Sequence, residues 1–359
     1  MSLKALGWKD FFQHQIEEQE RDYLPARVYR QDVNQYHLLS AQGELTGTLP
    51  GRLHALATSK AELPTVGDWV LTSPADQNDP TSVVIERNLD RFSKFSRKEA
   101  GDKFDEQVVA ANIDTVFIVS GLDENFNVNR IERYLLLAWS SGACPVVVLN
   151  KADLCADSEG KIQELQSVAV GVSTIAVSAH SGQGIDQLRP YVKPGHTVAL
   201  LGSSGVGKST IINALLGYER FETGEVRDGD SKGRHTTSFR EMCTMESGGL
   251  IIDTPGMREI QIWMDEASLA RSFSDVDDYA VQCRFNDCEH NSEPGCAVQE
   301  AISKGLLDES RLQSFRKFAR ELTHLVEKQD ASARAVKKKE RKKFAKSIKK
   351  RPDKRDGSR

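Results

Sequence analysis

The stretch Gly202-Ser203-Ser204-Gly205-Val206-Gly207-Lys208-Ser209 fits G-x-x-x-x-G-K-[ST] without a substitution. It constrains the fold more than any other part of the chain. The apolar run Thr197-Val198-Ala199-Leu200-Leu201 precedes it, and Thr210-Ile211-Ile212-Asn213-Ala214-Leu215-Leu216 follows with helical spacing, so the motif reads strand, loop, helix. Glycines give the loop backbone angles closed to other residues and let its N–H groups fold around a phosphate, while the helix N-terminus adds partial positive charge. Lys208 is placed to reach β- and γ-phosphates, as ligand and as candidate catalytic cation. The Ser209 hydroxyl is a candidate Mg²⁺ ligand, and Thr210 completes the cradle.

At 359 residues the chain is long enough for several domains with separate cores. Its first ten residues carry no apolar run, and no uncharged stretch approaches the roughly 20 residues that span a bilayer, so the sequence predicts a cytoplasmic protein without a membrane segment. The net charge of −4 hides an asymmetry: residues 331–359 hold 14 Lys/Arg against 3 Asp/Glu, which leaves −15 on residues 1–330. That tail has too few apolar residues to bury a core and is a candidate contact for RNA phosphates, the alternative being a solvated tail.

Residues 1–20 read as a short polar helix or arm. Over residues 21–98 short β-like runs (Ala26–Tyr29, Tyr36–Leu39, Asp68–Leu71 and Ser82–Ile85) alternate with Gly, Pro and Asn, which predicts an antiparallel barrel of the OB type. Composition leaves RNA contact and a purely structural role both open for it. Over residues 99–264 the pattern becomes strand-helix alternation: strands at Asp114–Ser120, Pro145–Leu149, Thr174–Val177, Thr197–Leu201 and Gly249–Ile252, and helices at Val128–Ser141, Lys161–Val170 and Ile185–Tyr191. Such units build a mostly parallel sheet covered on both faces.

Further motifs lie at the ends of these strands. Asn150-Lys151-Ala152-Asp153 matches N-K-x-D: a carboxylate at Asp153 accepts from two guanine N–H groups that adenine lacks, Asn150 tethers neighbouring loops, and the Lys151 stem packs over the base. Ser178-Ala179-His180 stands where a second guanine loop, with a backbone N–H for O6, belongs. Asp253-Thr254-Pro255-Gly256 is a D-x-x-G switch, with Asp253 toward Mg²⁺ and the Gly256 N–H toward the γ-phosphate. Between them runs Ser231-Lys232-Gly233-Arg234-His235-Thr236-Thr237, in which Thr236 or Thr237 supplies another Mg²⁺ ligand. The order is shuffled, because N-K-A-D precedes the phosphate loop by about fifty residues. A sheet whose chain ends lie close tolerates this permutation.

Behind the α/β segment, Cys283-x₄-Cys288-x-His290-x₅-Cys296 offers three thiolates and an imidazole. This closed set suits one structural Zn²⁺ and leaves no open position for catalysis. Residues 297–329 read as helical, with an apolar stripe of Leu306, Leu307, Leu312, Phe315, Phe318, Ala319, Leu322 and Leu325, so that 265–330 forms a zinc-binding helical domain.

The ordered set N-K-A-D, S-A-H, G-S-S-G-V-G-K-S, G-R-H-T-T and D-T-P-G, with Gly67-Asp68-Trp69-Val70 ahead and the Cys/His cluster behind, closely resembles the circularly permuted bacterial GTPases of the RsgA family, also called YjeQ or EngC. The resemblance spans roughly residues 20–330. It implies an OB barrel, a permuted P-loop GTPase domain and a zinc-binding domain, cleavage of the β–γ bond of GTP, and action on the 30S ribosomal subunit and its 16S rRNA late in assembly, as a monomer. Many GTPases orient the attacking water with a glutamine after D-x-x-G; here that residue is Met257, whose thioether cannot do so. His235 is the candidate instead, in line with the role the family gives its histidine. Two other readings stay open from sequence: an RNA-binding zinc protein that holds GTP without turnover, and a GTP switch for a non-ribosomal partner.

Overall fold

The computed structural model describes residues 1–33, 35–57, 59–74, 79–98, 106–166, 168–221, 241–253, 269, 273–291, 293–309 and 311–323. The loop bearing His235, Thr236 and Thr237, the D-x-x-G residue Gly256, Met257, Leu325 and the basic tail lie outside these.

Five strands close a barrel: β1 (Leu24–Gln31), β2 (Tyr36–Ser40), β3 (Gly43–Thr48), β4 (Trp69–Thr72) and β5 (Ser82–Asn88). Its spatial order is β1-β2-β3-β5-β4, with β4 returning to pair β1 and β3 running parallel to β5. Alternate side chains fill it, with Ala26, Val28, Leu38, Val70 and Ile85 at 0% exposure. This is the OB barrel that the β-like runs predict. β3 was not read from sequence, because Gly43-Glu44-Leu45-Thr46-Gly47-Thr48 carries one large apolar residue and two glycines.

The N-terminal stretch does not stand apart as an arm. Within it a four-residue helix, α1 (Asp10–Gln13), holds Phe12, which joins Leu6, Trp69, Leu71 and Leu89 in a buried cluster. Arg27 fastens this stretch from below: its guanidinium donates to the carbonyls of Leu6 (2.6 Å), Gly67 (3.1 Å) and Asn112 (2.9 Å). Burial pulls Arg27 down to about 10, and the carboxylates of Asp114 and Asp68 oppose that. A short helix, α2 (Gly51–Leu56), and a hairpin of β6 (Lys94–Lys98) and β7 (Glu106–Ala111) complete the region.

The α/β body holds β8 (Thr115–Gly121), β9 (Cys144–Asn150), β10 (Thr174–Ala176), β11 (Thr197–Leu201), β12 (Glu241–Thr244) and β13 (Leu250–Asp253) in the order β10-β9-β8-β11-β13-β12. All pairings are parallel except β12 with β13. The sheet continues into the barrel through the pair Arg30↔Glu241 of β1 and β12. Helix α3 (Val128–Ser141) begins at Asn127, whose side chain accepts from the Arg130 amide, and stops at Gly142 in the left-handed region. Helix α4 (Ser158–Leu165) is shorter than the run expected there, and Ile185–Tyr191, with Pro190 inside, is a 3₁₀ helix. Helix α5 (Lys208–Leu216) follows the phosphate loop.

Beyond the sheet lie α6 (Ser274–Ala280), α7 (Ala297–Ser303) and a helix over 311–323. The single helical run expected from 297 is thus broken, at Gly305 with its φ of 70°. Leu307, Leu312, Phe318 and Leu322 are buried as the stripe requires, whereas Leu306, beside the break, is 63% exposed. No helix among the described residues is long and apolar enough to cross a membrane.

The G-D-W-V turn locks barrel to body. Gly67 has a φ of 92°, and a Cβ there would lie 2.1 Å from the Ala111 carbonyl oxygen. Asp68 pairs with Arg91 through both oxygens, at 2.6 and 2.7 Å. Trp69 is wholly buried beside Trp8. Gly67→Ala is therefore expected to cost about 2–4 kcal/mol, from the left-handed backbone and the overpacking together. A shift in the denaturation midpoint corresponding to well under 1 kcal/mol would contradict this lock.

Candidate nucleotide site and metal centre

Parallel strands deliver their C-terminal ends to one edge of the sheet, and the loops that leave β8, β9, β10 and β11 meet there. Asn150, the last residue of β9, is 3% exposed. Its amide nitrogen donates to the Val206 carbonyl of the phosphate loop (2.8 Å), and its Oδ1 accepts from the Ala179 amide (3.0 Å). Its backbone carbonyl accepts from Leu122 (2.7 Å). One carboxamide thus joins the N-K-A-D, S-A-H and phosphate loops. Gly207, at φ 92°, makes room for it: a Cβ there would lie 2.2 Å from the Asn150 nitrogen. Gly202 is constrained in the same way, its hypothetical Cβ falling 2.3 Å from the Val119 carbonyl oxygen.

Along the loop, Val206 is buried while Ser203, Ser204 and Gly205 face outward to differing degrees. The Lys208 ammonium lies within the loop's curve and donates to the carbonyls of Gly202 (2.8 Å) and Ser203 (2.6 Å). Ser209 and Thr210 open α5, half-buried. Ser178 is fully buried, and Asp153 is exposed in the 3₁₀ turn Ala152–Leu154 just past β9. Asp253 ends β13, the strand next to β11, and its side chain lies outside the described set.

Two residues at this edge were missed from sequence. Asp123, just past β8, pairs with the Lys151 ammonium at 2.6 Å. Burial pushes the Asp123 carboxyl up, but Lys151 and the Asn125 amide outweigh it and hold it below the usual carboxylate range. Lys151 itself adopts φ 64°, a left-handed angle that is uncommon for a non-glycine residue, and this turns its side chain toward Asp123. The second is Arg130 of α3, which donates to the Ser203 hydroxyl at 3.3 Å. Neither has a motif to mark it; each partnership comes from β8 lying between β9 and β11.

In the C-terminal region the ligand atoms of Cys283, Cys288, His290 and Cys296 all lie within 4.8 Å of one another. The Cys283 and Cys296 sulfurs are 3.9 Å apart, and each is 3.5 Å from His290 Nδ1. A tetrahedral zinc with Zn–S of about 2.3 Å and Zn–N of about 2.0 Å needs edges of about 3.8 and 3.5 Å. The spacing and the donors are therefore compatible with zinc. Burial lowers His290, which favours the neutral imidazole that can ligate, and pushes the Cys288 thiol up to about 11 without an ion beside it. Cys296 caps α7, its sulfur accepting from the Gln299 amide, and Gln299 in turn donates to the His290 carbonyl at 2.6 Å.

Strand order, a phosphate loop reached after N-K-x-D, a barrel ahead and a Cys/His module behind together define a circularly permuted P-loop GTPase. The RsgA GTPase family model matches residues 88–263. The ABC transporter model also matches, over 185–351, a span that includes the phosphate loop common to many nucleotide-binding families. The chain is 46% identical over 338 residues to the small ribosomal subunit biogenesis GTPase RsgA of Opitutus terrae, with 92% of each chain covered. It is 41% identical over 348 residues to the RsgA of Syntrophotalea carbinolica, with 95% of each covered. Among solved structures it is similar to YjeQ from Thermotoga maritima (TM-score 0.64, 28% identity, 84% of this chain and 99% of that one). YloQ, a circularly permuted GTPase, shares the fold (TM-score 0.62, 21% identity, 86% and 98% covered). The chain belongs to the RsgA family and is a GTP hydrolase.

Replacing Asn150 by alanine leaves the Ala179 N–H and the Val206 carbonyl without their partner and lets three loops drift apart. With each lost hydrogen bond costing roughly 1 kcal/mol or more, guanine-nucleotide affinity is expected to fall about 10- to 100-fold, read by titration with a fluorescent GDP analogue. An affinity unchanged within twofold would show that the carboxamide does not organise the site.

Proposed function

We propose that the chain hydrolyses GTP during late assembly of the small ribosomal subunit, in the cytoplasm and as a monomer, by binding the 30S particle and its 16S rRNA and turning over faster when bound. Support comes from the two relatives above, each named as a small ribosomal subunit biogenesis GTPase, and from the basic residues 331–359 beside an acidic body. The observation that carries the nucleotide part is the pair of hydrogen bonds from Asn150, which brings the base-reading and phosphate-reading loops to one place.

In this reading Asp153 accepts from guanine, the Ala179 N–H faces O6, and Lys151, braced by Asp123, lies along the base. The N–H groups of residues 202–209 and the Lys208 ammonium neutralise charge that develops on the β–γ bridge and the γ-phosphoryl oxygens. Ser209, with Asp253 and Thr236 or Thr237, would hold Mg²⁺, which would supply further neutralisation of phosphate charge. The Gly256 N–H senses the γ-phosphate. His235 orients the attacking water, since Met257 cannot. Cys283, Cys288, His290 and Cys296 would hold one structural Zn²⁺, a closed set that would fix the fold of the C-terminal module.

Phosphate release with and without purified 30S subunits tests this reading. Stimulation of at least about tenfold is expected, because a partner that completes a GTPase's catalytic site raises turnover by orders of magnitude. Turnover indifferent to the subunit would instead favour a switch for another partner, and no turnover a GTP-holding RNA-binding protein. His235→Ala is expected to remove most of the stimulation while leaving GDP affinity intact. Full stimulated turnover in that variant would overturn the assignment of the histidine. Metal analysis is expected to find one zinc per chain, lost together with a folded C-terminal module on strong chelation.

A further inference from the structure

One turn of α3 touches both the phosphate loop and the C-terminal module. The Arg130 guanidinium donates to the Ser203 hydroxyl (3.3 Å) and the Asn125 carbonyl (3.4 Å). The carbonyl of the same Ser203 accepts from Lys208 (2.6 Å). Two cations thus hold the two oxygens of one loop residue. Two positions further along α3, Glu132 is 4% exposed and accepts from Arg311 at 3.1 Å. Arg311 is also bidentate to Asp275 of α6 (2.9 and 3.2 Å) and lies over the Phe273 ring at 4.2 Å. The next residue, Arg133, pairs with Glu321 of the helix over 311–323 at 3.2 Å. Between these contacts Ile131, Leu135, Leu136 and Ala138 are fully or almost fully buried against the sheet, so α3 moves as one body if it moves at all.

We propose that Arg130 is a positioning residue for the phosphate loop, acting through Ser203, and that α3 makes its placement depend on how the C-terminal module is docked. This rests on the nucleotide reading of the phosphate loop given above.

A glycine-rich loop must hold its N–H groups inward before phosphate arrives, and each degree of freedom removed beforehand lowers the cost of binding. A restraint on Ser203 does this at the loop's first turn. Charge alone is the weaker part, because the half-exposed Arg130 cation is screened by solvent and salt. The distinguishing feature is the shared donor: one nitrogen, Nη1, reaches Ser203 and Asn125 together and ties the phosphate loop to the segment that leads into α3. A buried ion-pair cluster on the same helix turn gives the C-terminal module a grip that a surface pair lacks.

The test is GDP affinity of the full chain, without ribosomal particles, so that its outcome is independent of the ribosomal reading. Arg130→Ala and Ser203→Ala are each expected to weaken binding about fivefold, the effect of one hydrogen bond, and the double variant no more than either single one. Glu132→Gln, which keeps the side-chain shape, is expected to shift affinity about threefold in the parent chain and not at all in the Arg130→Ala background. Additive losses for Arg130 and Ser203, or a Glu132→Gln effect that is absent or equal in both backgrounds, would overturn the inference. Failure of the parent chain to bind GDP would bring down the nucleotide reading as well.

Discussion

The structure's candidate site depends on a single side-chain amide. Asn150 spans from the end of β9 to loops that are 56 residues ahead of it and 29 residues ahead of it in sequence, and satisfies one group in each. In a chain where the usual order of loops has been cut and rejoined, nothing in the covalent connectivity brings N-K-A-D against the phosphate loop. The strand order does, and the buried carboxamide holds the loops together there, its nitrogen donating to one backbone group and its oxygen accepting from another. The glycine at 207 is the other half of the arrangement, since any larger residue would fill the space the amide occupies.

Permutation leaves the sheet intact and changes what is attached to it. The barrel continues the sheet past β12, through one residue pair with β1, and is clamped by Arg27, Asp68 and the turn at Gly67. The C-terminal module instead rests on α3, through Glu132 and Arg133. The two appended bodies therefore meet the central sheet through separate contacts: an edge strand on one side and a covering helix on another.

Much of this was legible in the sequence where local chemistry decides structure. The ends of α3 follow from the Asn127 cap and Gly142, and the phosphate loop declares its own strand and helix. The four zinc-compatible ligands could be named from spacing alone, and they converge. What escaped were features set by neighbours distant in the chain. β3 has too little apolar content to read as a strand, yet Gly47 suits it because Leu38 and Ile85 press close against that position. The antiparallel β12 is four residues long and is defined by its pairing with β13. Asp123 and Arg130 acquire partners only once β8 lies between β9 and β11. The apolar stripe from 297 onward continues in sequence across Gly305, where the backbone turns left-handed and the helix ends.

The most direct test of a shuffled set of loops closing on one guanine nucleotide is calorimetric titration of the full chain with GDP and with ADP under identical Mg²⁺ and salt. Saturable one-to-one binding of GDP, with ADP weaker by at least about a hundredfold, is the predicted result, since adenine offers Asp153 none of the paired donors of guanine. Equal affinity for the two nucleotides, or no binding of either, would contradict the account.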